Sequence, residues 1–215
     1  MDARIKNNEK ILFIGDSITD CGRRAAERPL GNGYVRIFRD YLIIRASAKK
    51  VVMVNKGIDG DTSVALLNRL EDDLLRHKPD RISIQVGIND LYRHLARAAD
   101  GVSPESYEEV YRKMLKRIRS ELPRCMLLLI QPFYISRESS KDSFRQNILG
   151  LLPQYLKVVE KMSEEFNTRM VRTHAMFQNL LKYYEPDVFC LEPVHPNLTG
   201  HAAIASAVYD LFCRS

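Results

Sequence analysis

The stretch KILFIGDS at residues 10–17 decides the fold class. It begins with a short, continuous run of apolar residues and stops at a glycine, which an aspartate and a serine follow. An apolar run without alternation is typical of a strand that is covered on both faces, as in a parallel sheet between helices. The stretch therefore predicts a first parallel strand at 10–14, with Ser17 just beyond its carboxyl end.

Four further runs of this kind follow along the chain, at residues 51–55, 81–86, 125–130 and, more weakly, 168–172. Longer patterns with helical spacing separate them, at residues 33–45, 63–76, 103–122, 144–167 and 199–212. Pro153 is expected to break or kink the fourth of these helices. Five strands with helical crossovers predict an α/β fold: a flavodoxin-like, three-layer α/β/α domain with a five-stranded parallel sheet.

The composition fits one such domain over residues 1–215. The chain is 45% hydrophobic and 28% charged, with a formal net charge of +6. Its longest basic cluster, at residues 112–119, contains apolar residues at helical spacing, which is typical of a solvated helix face. No aromatic or glycine-rich recognition motif accompanies that cluster, so we expect no nucleic-acid partner.

The chain also lacks the marks of export, membrane insertion and metal binding. Its first ten residues are polar, and the longest apolar runs, at 11–14 and 126–130, are too short to span a bilayer. The four cysteines are scattered without a CxxC pair, and no histidine has a partner at metal-ligand spacing. We therefore expect a cytoplasmic protein with reduced thiols, no membrane partner, no metal and no cofactor.

Chemically useful residues follow the first three predicted strands. Ser17 follows the first strand, Gly57 the second and Asn89 the third. In a parallel sheet of this kind, ligands bind at the carboxyl ends of the strands. The Ser17 hydroxyl is a candidate nucleophile, and the N–H groups of Ser17 and Gly57 with the Asn89 amide are candidate donors to an oxyanion. Each residue alone also has a plain interpretation, as a helix cap or a loop glycine.

A histidine near the carboxyl terminus supplies a candidate base. His195 lies between two prolines in a loop before the last helix, where a histidine has little packing purpose. Its neutral imidazole can take the proton of Ser17. Glu192, three residues earlier, can orient the ring through its other nitrogen. Asp187, Glu185 or a backbone carbonyl are the alternatives for that role.

Other polar and aromatic residues have supporting or ambiguous predictions. Asp16 is expected to tie the turn before Ser17 through backbone N–H groups, and Asp90 to brace the loop that holds Asn89. Asp20 and Arg23 either line the pocket mouth or pair on the surface. The aromatic residues that either form an apolar platform for a sugar ring or pack in the core are Tyr92, Phe133 and Tyr134.

The conjunction of these motifs in this order resembles the GDSL/SGNH hydrolase superfamily. Its four blocks supply serine, glycine, asparagine and histidine, which map onto Ser17, Gly57, Asn89 and His195. Within the superfamily, the stretches at 12–23, 33–35, 55–58, 86–90 and 131–135 are similar to intracellular bacterial xylan acetylesterases. This resemblance implies a serine esterase that removes O-acetyl groups from short xylo-oligosaccharides, without a cofactor and often as a homo-oligomer.

One position departs from the family pattern. The family usually ends in Asp-x-x-His, and the acid here is Glu192, which is one methylene longer. A small-molecule ester, with an acetylated sugar suspected, remains the expected substrate. A lysophospholipase or thioesterase type of acylhydrolase is the first alternative, although no apolar, lid-like insertion for a long acyl chain is evident. A non-catalytic carbohydrate-binding relative is the second.

Overall fold

The predicted five-stranded parallel sheet is confirmed. The computed structural model describes residues 5–141 and 143–214, and in this part of the chain the strands lie in the order β2-β1-β3-β4-β5, with every neighbouring pair parallel. The strands are β1 Lys10–Gly15, β2 Val52–Gly57, β3 Arg81–Gln85, β4 Met126–Ile130 and β5 Arg169–Val171. Gly15 pairs with both Gly57 and Gln85, so the first three strands end level with one another.

Helices cover both faces of this sheet. They are α1 Ser17–Asp20, α2 Tyr34–Arg45, α3 Ser63–Asn68, α4 Leu70–Asp73, α5 Ile88–Leu95, α6 Pro104–Glu121, α7 Phe144–Glu165, α8 Thr173–Leu180 and α9 Leu198–Tyr209. A 3-10 turn follows α4 at Leu75–His77 and another follows α8 at Pro186–Val188, while a π-helical turn, Asp210–Arg214, follows α9. Helices α2 and α9 pack together, and α6 packs against α3 and α7.

The burial of β1 shows why the apolar run was a reliable signal. Its residues from Ile11 to Ile14 are all fully buried. Successive side chains of a strand point to opposite faces of the sheet, so both faces of β1 must be covered by other elements. This is the three-layer arrangement that the continuous apolar run predicted.

Two predicted helices differ from the observed ones. The helix expected at 63–76 is broken at Arg69, whose guanidinium turns inward to the carbonyls of Gly15 and Lys56. Pro153, in contrast, does not end α7. Because Pro153 lies on the exposed side of that helix, water can bind the carbonyl that the proline leaves without an N–H partner.

Three helices were not predicted. Helix α1 has four residues and α8 has eight, while α5 begins inside the motif that follows β3. All three are short compared with the amphipathic patterns that reveal a helix from sequence. Within residues 5–141 and 143–214, every helix is too short or too polar to pass through a lipid bilayer.

Candidate active site

Ser17 stands at the turn between β1 and α1. It is the first residue of α1, and Asp16 caps that helix by accepting the Ile18 N–H at Oδ1, 3.0 Å away. A Cβ atom on Gly15 would lie 2.3 Å from the carbonyl oxygen of Gln85, so only glycine fits at the end of β1. Through this bond Asp16 accepts a backbone N–H of the turn that carries Ser17.

The fold brings Ser17 and His195 together although 178 residues separate them in the chain. Ser17 Oγ lies 2.9 Å from His195 Nε2. On the other side of the ring, His195 Nδ1 forms a short hydrogen bond with Glu192 Oε1. A proton on Nδ1 is then donated to the carboxylate, which leaves Nε2 as the acceptor of the Ser17 hydroxyl proton.

Glu192 is the acid that partners His195 in the structure. Its Oε1 also accepts the His195 N–H at 2.8 Å, and its Oε2 accepts the Val194 N–H at 3.0 Å. These bonds fold the loop around the carboxylate and accommodate its extra methylene. Of the two alternative acids, Glu185 instead binds Arg137, and the contacts described for Asp187 use its backbone carbonyl.

Gly57 does not present a free N–H to the site. Its N–H donates to Asn55 Oδ1 at 2.8 Å, and a Cβ atom at Gly57 would lie 2.2 Å from the backbone nitrogen of Asp20. The glycine therefore permits close packing of β2 against α1, which differs from the donor role expected from the sequence. The strand-end position was the signal for that expectation, and it carries no information on where the N–H points.

Gly60, three residues later, has the geometry that was expected of Gly57. It has a positive φ of 79°, which glycine adopts readily, and its carbonyl accepts Arg93 Nη2 at 2.7 Å. Among the residues that the structure describes, its N–H has no hydrogen-bond partner. The sequence showed both glycines in one loop but did not distinguish them.

Asn89 lies beside the Gly60 loop. It is the second residue of α5, and its Nδ2 donates to the carbonyl of Asp61 at 3.0 Å. An amide nitrogen carries two hydrogens, so one N–H of Asn89 remains for a ligand. One hydrogen of the Asn89 amide thus fixes the side chain, and the other can be donated to a ligand.

Arg69 anchors the same loop to the ends of two strands. Its Nε binds Asp61 Oδ2 at 2.7 Å, and its Nη atoms donate to the carbonyls of Lys56 at 2.8 Å and Gly15 at 3.1 Å. Its side chain is only 15% exposed, so these contacts are shielded from water. Sequence reasoning missed this residue because its partners are distant in the chain.

Asp90 braces the start of α3. Its buried carboxylate accepts the N–H and the hydroxyl of Ser63, at 3.0 and 2.5 Å from Oδ1. Burial raises the pKa of Asp90 to about 6, although the Ser63 bonds act in the opposite direction. Asp90 therefore ties the helix that carries Asn89 to the helix that follows the Gly60 loop.

Asp16 is a second buried carboxyl group beside the site. It is fully buried, and within the described residues its Oδ2 has no hydrogen-bond partner. Burial raises the pKa of Asp16 from 3.8 to about 8, while the Ile18 N–H bond lowers it in part. Asp16 is therefore protonated at neutral pH, directly beneath the turn that carries Ser17.

This protonation makes stability depend on pH. Between about pH 4 and pH 8, the folded chain keeps a proton on Asp16 that the unfolded chain has released, so the free energy of unfolding falls as the pH rises. We expect Asp16→Asn to weaken this dependence by on the order of a few kcal/mol across that range. Urea titrations at several pH values measure it, and an unchanged slope in Asp16→Asn would contradict the prediction.

Two open cavities meet at Ser17 and His195. One, of about 410 Å³, is also lined by Asp20, Arg24 and Asp59. The other, of about 430 Å³, is also lined by Asn32 and by residues 196–198. The pair of side chains is therefore open to solvent on two sides.

The polar residues at the rim of the first cavity differ in part from those expected. Asp20 is buried, and its Oδ2 binds Arg24 Nε at 2.8 Å and the Asp59 N–H at 3.1 Å. Arg23 instead directs its Nε to the carbonyl of Gly57, 2.6 Å away. Arg24, rather than Arg23, is the cation that lines the cavity.

The aromatic residues divide between the core and the surface. Phe133 and Tyr134 are buried, and the ring of Phe133 lies 5.0 Å from that of Phe177. These two residues pack in the core and offer no platform to a ligand. Tyr92 is half-buried and contacts Phe144 at its edge, so it is the one member of the predicted group with exposed ring surface.

Comparisons with known proteins agree with the fold and identify the family. The model of the GDSL-like lipase/acylhydrolase family matches residues 13–203. An acetylxylan esterase of Geobacillus stearothermophilus is 35% identical over 212 residues, which cover 95% of this chain and 94% of that protein. The crystal structure of an acetylxylan esterase from the same organism superposes with a TM-score of 0.84 at 35% identity, covering 97% of this chain and 96% of that one.

A further solved structure extends the likeness to the whole fold. A putative GDSL-like lipase from Parabacteroides merdae matches with a TM-score of 0.89 at 30% identity and covers 99% of both chains. The family match spans more than half of the chain, and the acetylxylan esterase relative is 35% identical over 95% of it. The chain therefore belongs to the GDSL-like lipase/acylhydrolase family, and it is an ester hydrolase.

Proposed function

We propose that this protein is a serine esterase that removes small acyl groups, in particular O-acetyl groups, from carbohydrate esters. The observation that carries this proposal is the 2.9 Å contact between Ser17 Oγ and His195 Nε2, with Glu192 at the opposite nitrogen of the ring. Nucleophile, base and orienting acid in this order form the arrangement that activates a serine hydroxyl for acyl transfer.

The reaction has two stages. In the first, Ser17 Oγ attacks the ester carbonyl carbon as its proton passes to His195 Nε2, and Glu192 stabilises the resulting imidazolium. The tetrahedral intermediate then expels the alcohol, which takes the proton from Nε2. In the second stage, water attacks the acyl-serine as its proton passes to Nε2. The tetrahedral intermediate then releases the acid, and Ser17 Oγ takes the proton back from Nε2, which restores the hydroxyl and the neutral imidazole.

Three donors are proposed for the oxyanion that forms in each stage. They are the N–H of Ser17, the free N–H of Gly60 and the second amide N–H of Asn89. Gly60 takes the place of Gly57 because the N–H of Gly57 already binds Asn55. The bonds from Arg93 to the Gly60 carbonyl and from Asn89 to the Asp61 carbonyl hold this loop in a fixed geometry, which electrostatic stabilisation requires.

Asn89→Ala tests this oxyanion hole. Loss of one such donor typically lowers kcat by about 100-fold to 1,000-fold. We expect a loss in this range with a smaller change in KM, because the bond strengthens only as negative charge develops. Steady-state assays with p-nitrophenyl acetate measure it. Asn147→Ala, on the exposed side of α7, is the matched control, and an Asn89→Ala enzyme with the kcat of the control would argue against the assignment.

The surroundings of Ser17 favour a short acyl group and a polar alcohol. Both adjoining cavities are open rather than deep channels, and the lining of the first includes the charged side chains of Arg24 and Asp59. Charged rims of this kind suit the hydroxyl groups of a sugar, whereas a long acyl chain needs a deep apolar surface. The similarity to an acetylxylan esterase points to the same substrate class.

A series of substrates tests the acyl and alcohol preferences separately. With p-nitrophenyl esters of increasing length, we expect the highest kcat/KM for acetate and a steady decrease beyond butyrate, because the cavities offer no apolar channel for the additional methylenes. Release of acetate from acetylated xylo-oligosaccharides tests the sugar. A preference for chains longer than butyrate would instead favour the lysophospholipase or thioesterase alternative.

A further inference from the structure

A buried histidine and a cysteine join the two segments that carry Ser17 and His195. His201 lies in the first turns of α9, six residues after His195, and is 7% exposed. Cys21 is the residue that ends α1, four residues after Ser17. His201 Nε2 and Cys21 Sγ are 3.3 Å apart, and neither side chain takes part in the reaction described above.

The neighbouring groups fix the direction of this hydrogen bond. The Tyr34 N–H, at the start of α2, donates to His201 Nδ1 at 3.2 Å, so Nδ1 carries no proton and Nε2 carries one. Nε2–H then donates to Cys21 Sγ, and the thiol proton is donated to the Ile18 carbonyl, 3.3 Å away. A continuous chain of hydrogen bonds thus runs from α2 through α9 to α1.

Both members of the pair are neutral in this arrangement. Burial lowers the pKa of His201 to about 4 and raises the pKa of Cys21 to about 12. The thiol is therefore not a second nucleophile beside Ser17, since the thiolate is the reactive form. The location of Cys21 and His201 beside Ser17 and His195 is therefore not explained by a direct part in the reaction.

The fold also leaves a specific space for the pair. A Cβ atom on Gly33 would lie 2.4 Å from Cys21 Sγ and 3.0 Å from His201 Cε1, so a glycine is required where α2 begins. The imidazole of His201 stacks on the ring of Tyr34 with an interplanar angle of 16°. Contacts from three elements therefore hold these two side chains in one geometry.

We propose that His201 and Cys21 are positioning residues, which set the distance between Ser17 Oγ and His195 Nε2. This inference rests on the proposed roles of Ser17 and His195. Helix α1 has only four residues, and the side chain of His195 is 57% exposed in its loop. Each segment has local contacts of its own, but these do not fix the distance between the two segments, because a short helix and an exposed loop residue are weakly constrained relative to each other. The hydrogen bond between Cys21 and His201 joins the nucleophile segment directly to the segment of the base.

Substitutions of Cys21 test the link without replacing either of the reacting groups. Cys21→Ala removes both hydrogen bonds, whereas Cys21→Ser keeps a donor and an acceptor at the same place. A misplacement of about 1 Å can cost up to about 100-fold in rate, so we expect Cys21→Ala to lower kcat by about tenfold or more with a smaller change in KM. Cys21→Ser should recover much of that loss. Cys125→Ala, a buried cysteine before β4 at the opposite end of the sheet, should keep the parent kcat.

A double-mutant cycle with His201→Ala distinguishes a shared link from two separate packing effects. If the two residues act through one hydrogen bond, the double variant loses no more in kcat than the more impaired single variant. Losses that multiply, or a Cys21→Ala enzyme with the parent kcat, would overturn the proposal. Thermal unfolding of each variant establishes that it is folded at the assay temperature.

Two readouts separate this inference from the proposed function and from folding defects. Nitrogen NMR of the parent should show His201 with its proton on Nε2, and a proton on Nδ1 would overturn the hydrogen-bond chain whether or not any variant folds. If Ser17→Ala retained activity, the proposed function would fail. Loss of activity in Ser17→Ala with the parent kcat in Cys21→Ala would reject the positioning role alone.

Discussion

Ser17→Ala is expected to lower kcat/KM for p-nitrophenyl acetate by about 10⁴-fold or more, the loss that follows removal of an activated serine. The structure offers no substitute, because Ser17 is the only hydroxyl-bearing residue among those that line the two cavities at His195. The adjacent Cys21 thiol is held neutral by burial. Alanine fits the first position of α1 without strain, so the variant should fold like the parent.

Ser139→Ala, in an exposed loop, is the matched control and should retain the parent kcat. A fluorophosphonate probe gives an independent measurement, since it should label Ser17 in the parent and leave Ser17→Ala unlabelled by mass spectrometry. A Ser17→Ala protein that hydrolysed the ester at the parent rate would refute the nucleophile assignment. A parent that bound acetylated xylo-oligosaccharides without labelling or hydrolysis would instead be the non-catalytic carbohydrate-binding relative.

Glu192→Ala is expected to lower kcat by about 10³-fold, because it removes the group that orients His195 and stabilises its imidazolium. The ring then has no partner at Nδ1, and the backbone N–H groups of Val194 and His195 lose their acceptors as well. The loop that carries the base is therefore loosened at the same time as its charge partner is lost. Steady-state kinetics of the purified variant measure the effect.

Glu192→Gln separates orientation from charge. A glutamine can keep its oxygen on the two His195 donors, but its NH₂ group then faces the Val194 N–H, which is also a donor. Orientation of the ring is thus retained in part, while the negative charge is lost. We expect an intermediate kcat between the parent and Glu192→Ala. Glu185→Ala is the control, since Glu185 binds Arg137 and not the ring. A Glu192→Ala enzyme with the parent kcat would favour a backbone carbonyl or water as the partner of Nδ1.

The sheet was predictable from the sequence to within about two residues at each strand end. Buried parallel strands are continuous apolar runs, and this signal is contained in a few adjacent residues. The start of a helix also depends on adjacent residues. Ser103 caps α6 and Pro104 occupies its first turn, which are the positions that serine and proline favour. The break at Arg69 was not predictable, because the partners of its guanidinium lie on β1, β2 and α4.

The sequence by itself determined the parallel sheet, the family and the order of Ser17, Asn89 and His195 along the chain, because strand pattern and side-chain chemistry are local properties. Only the tertiary structure decided that Glu192 faces the His195 ring, that Gly60 rather than Gly57 has a free N–H, and that His201 binds Cys21. The first depends on how a loop folds around a carboxylate, the second on where a neighbouring acceptor directs an N–H, and the third on a distance between groups that are far apart in the chain. Close packing sets those distances, and no pattern of residue types along the chain encodes them.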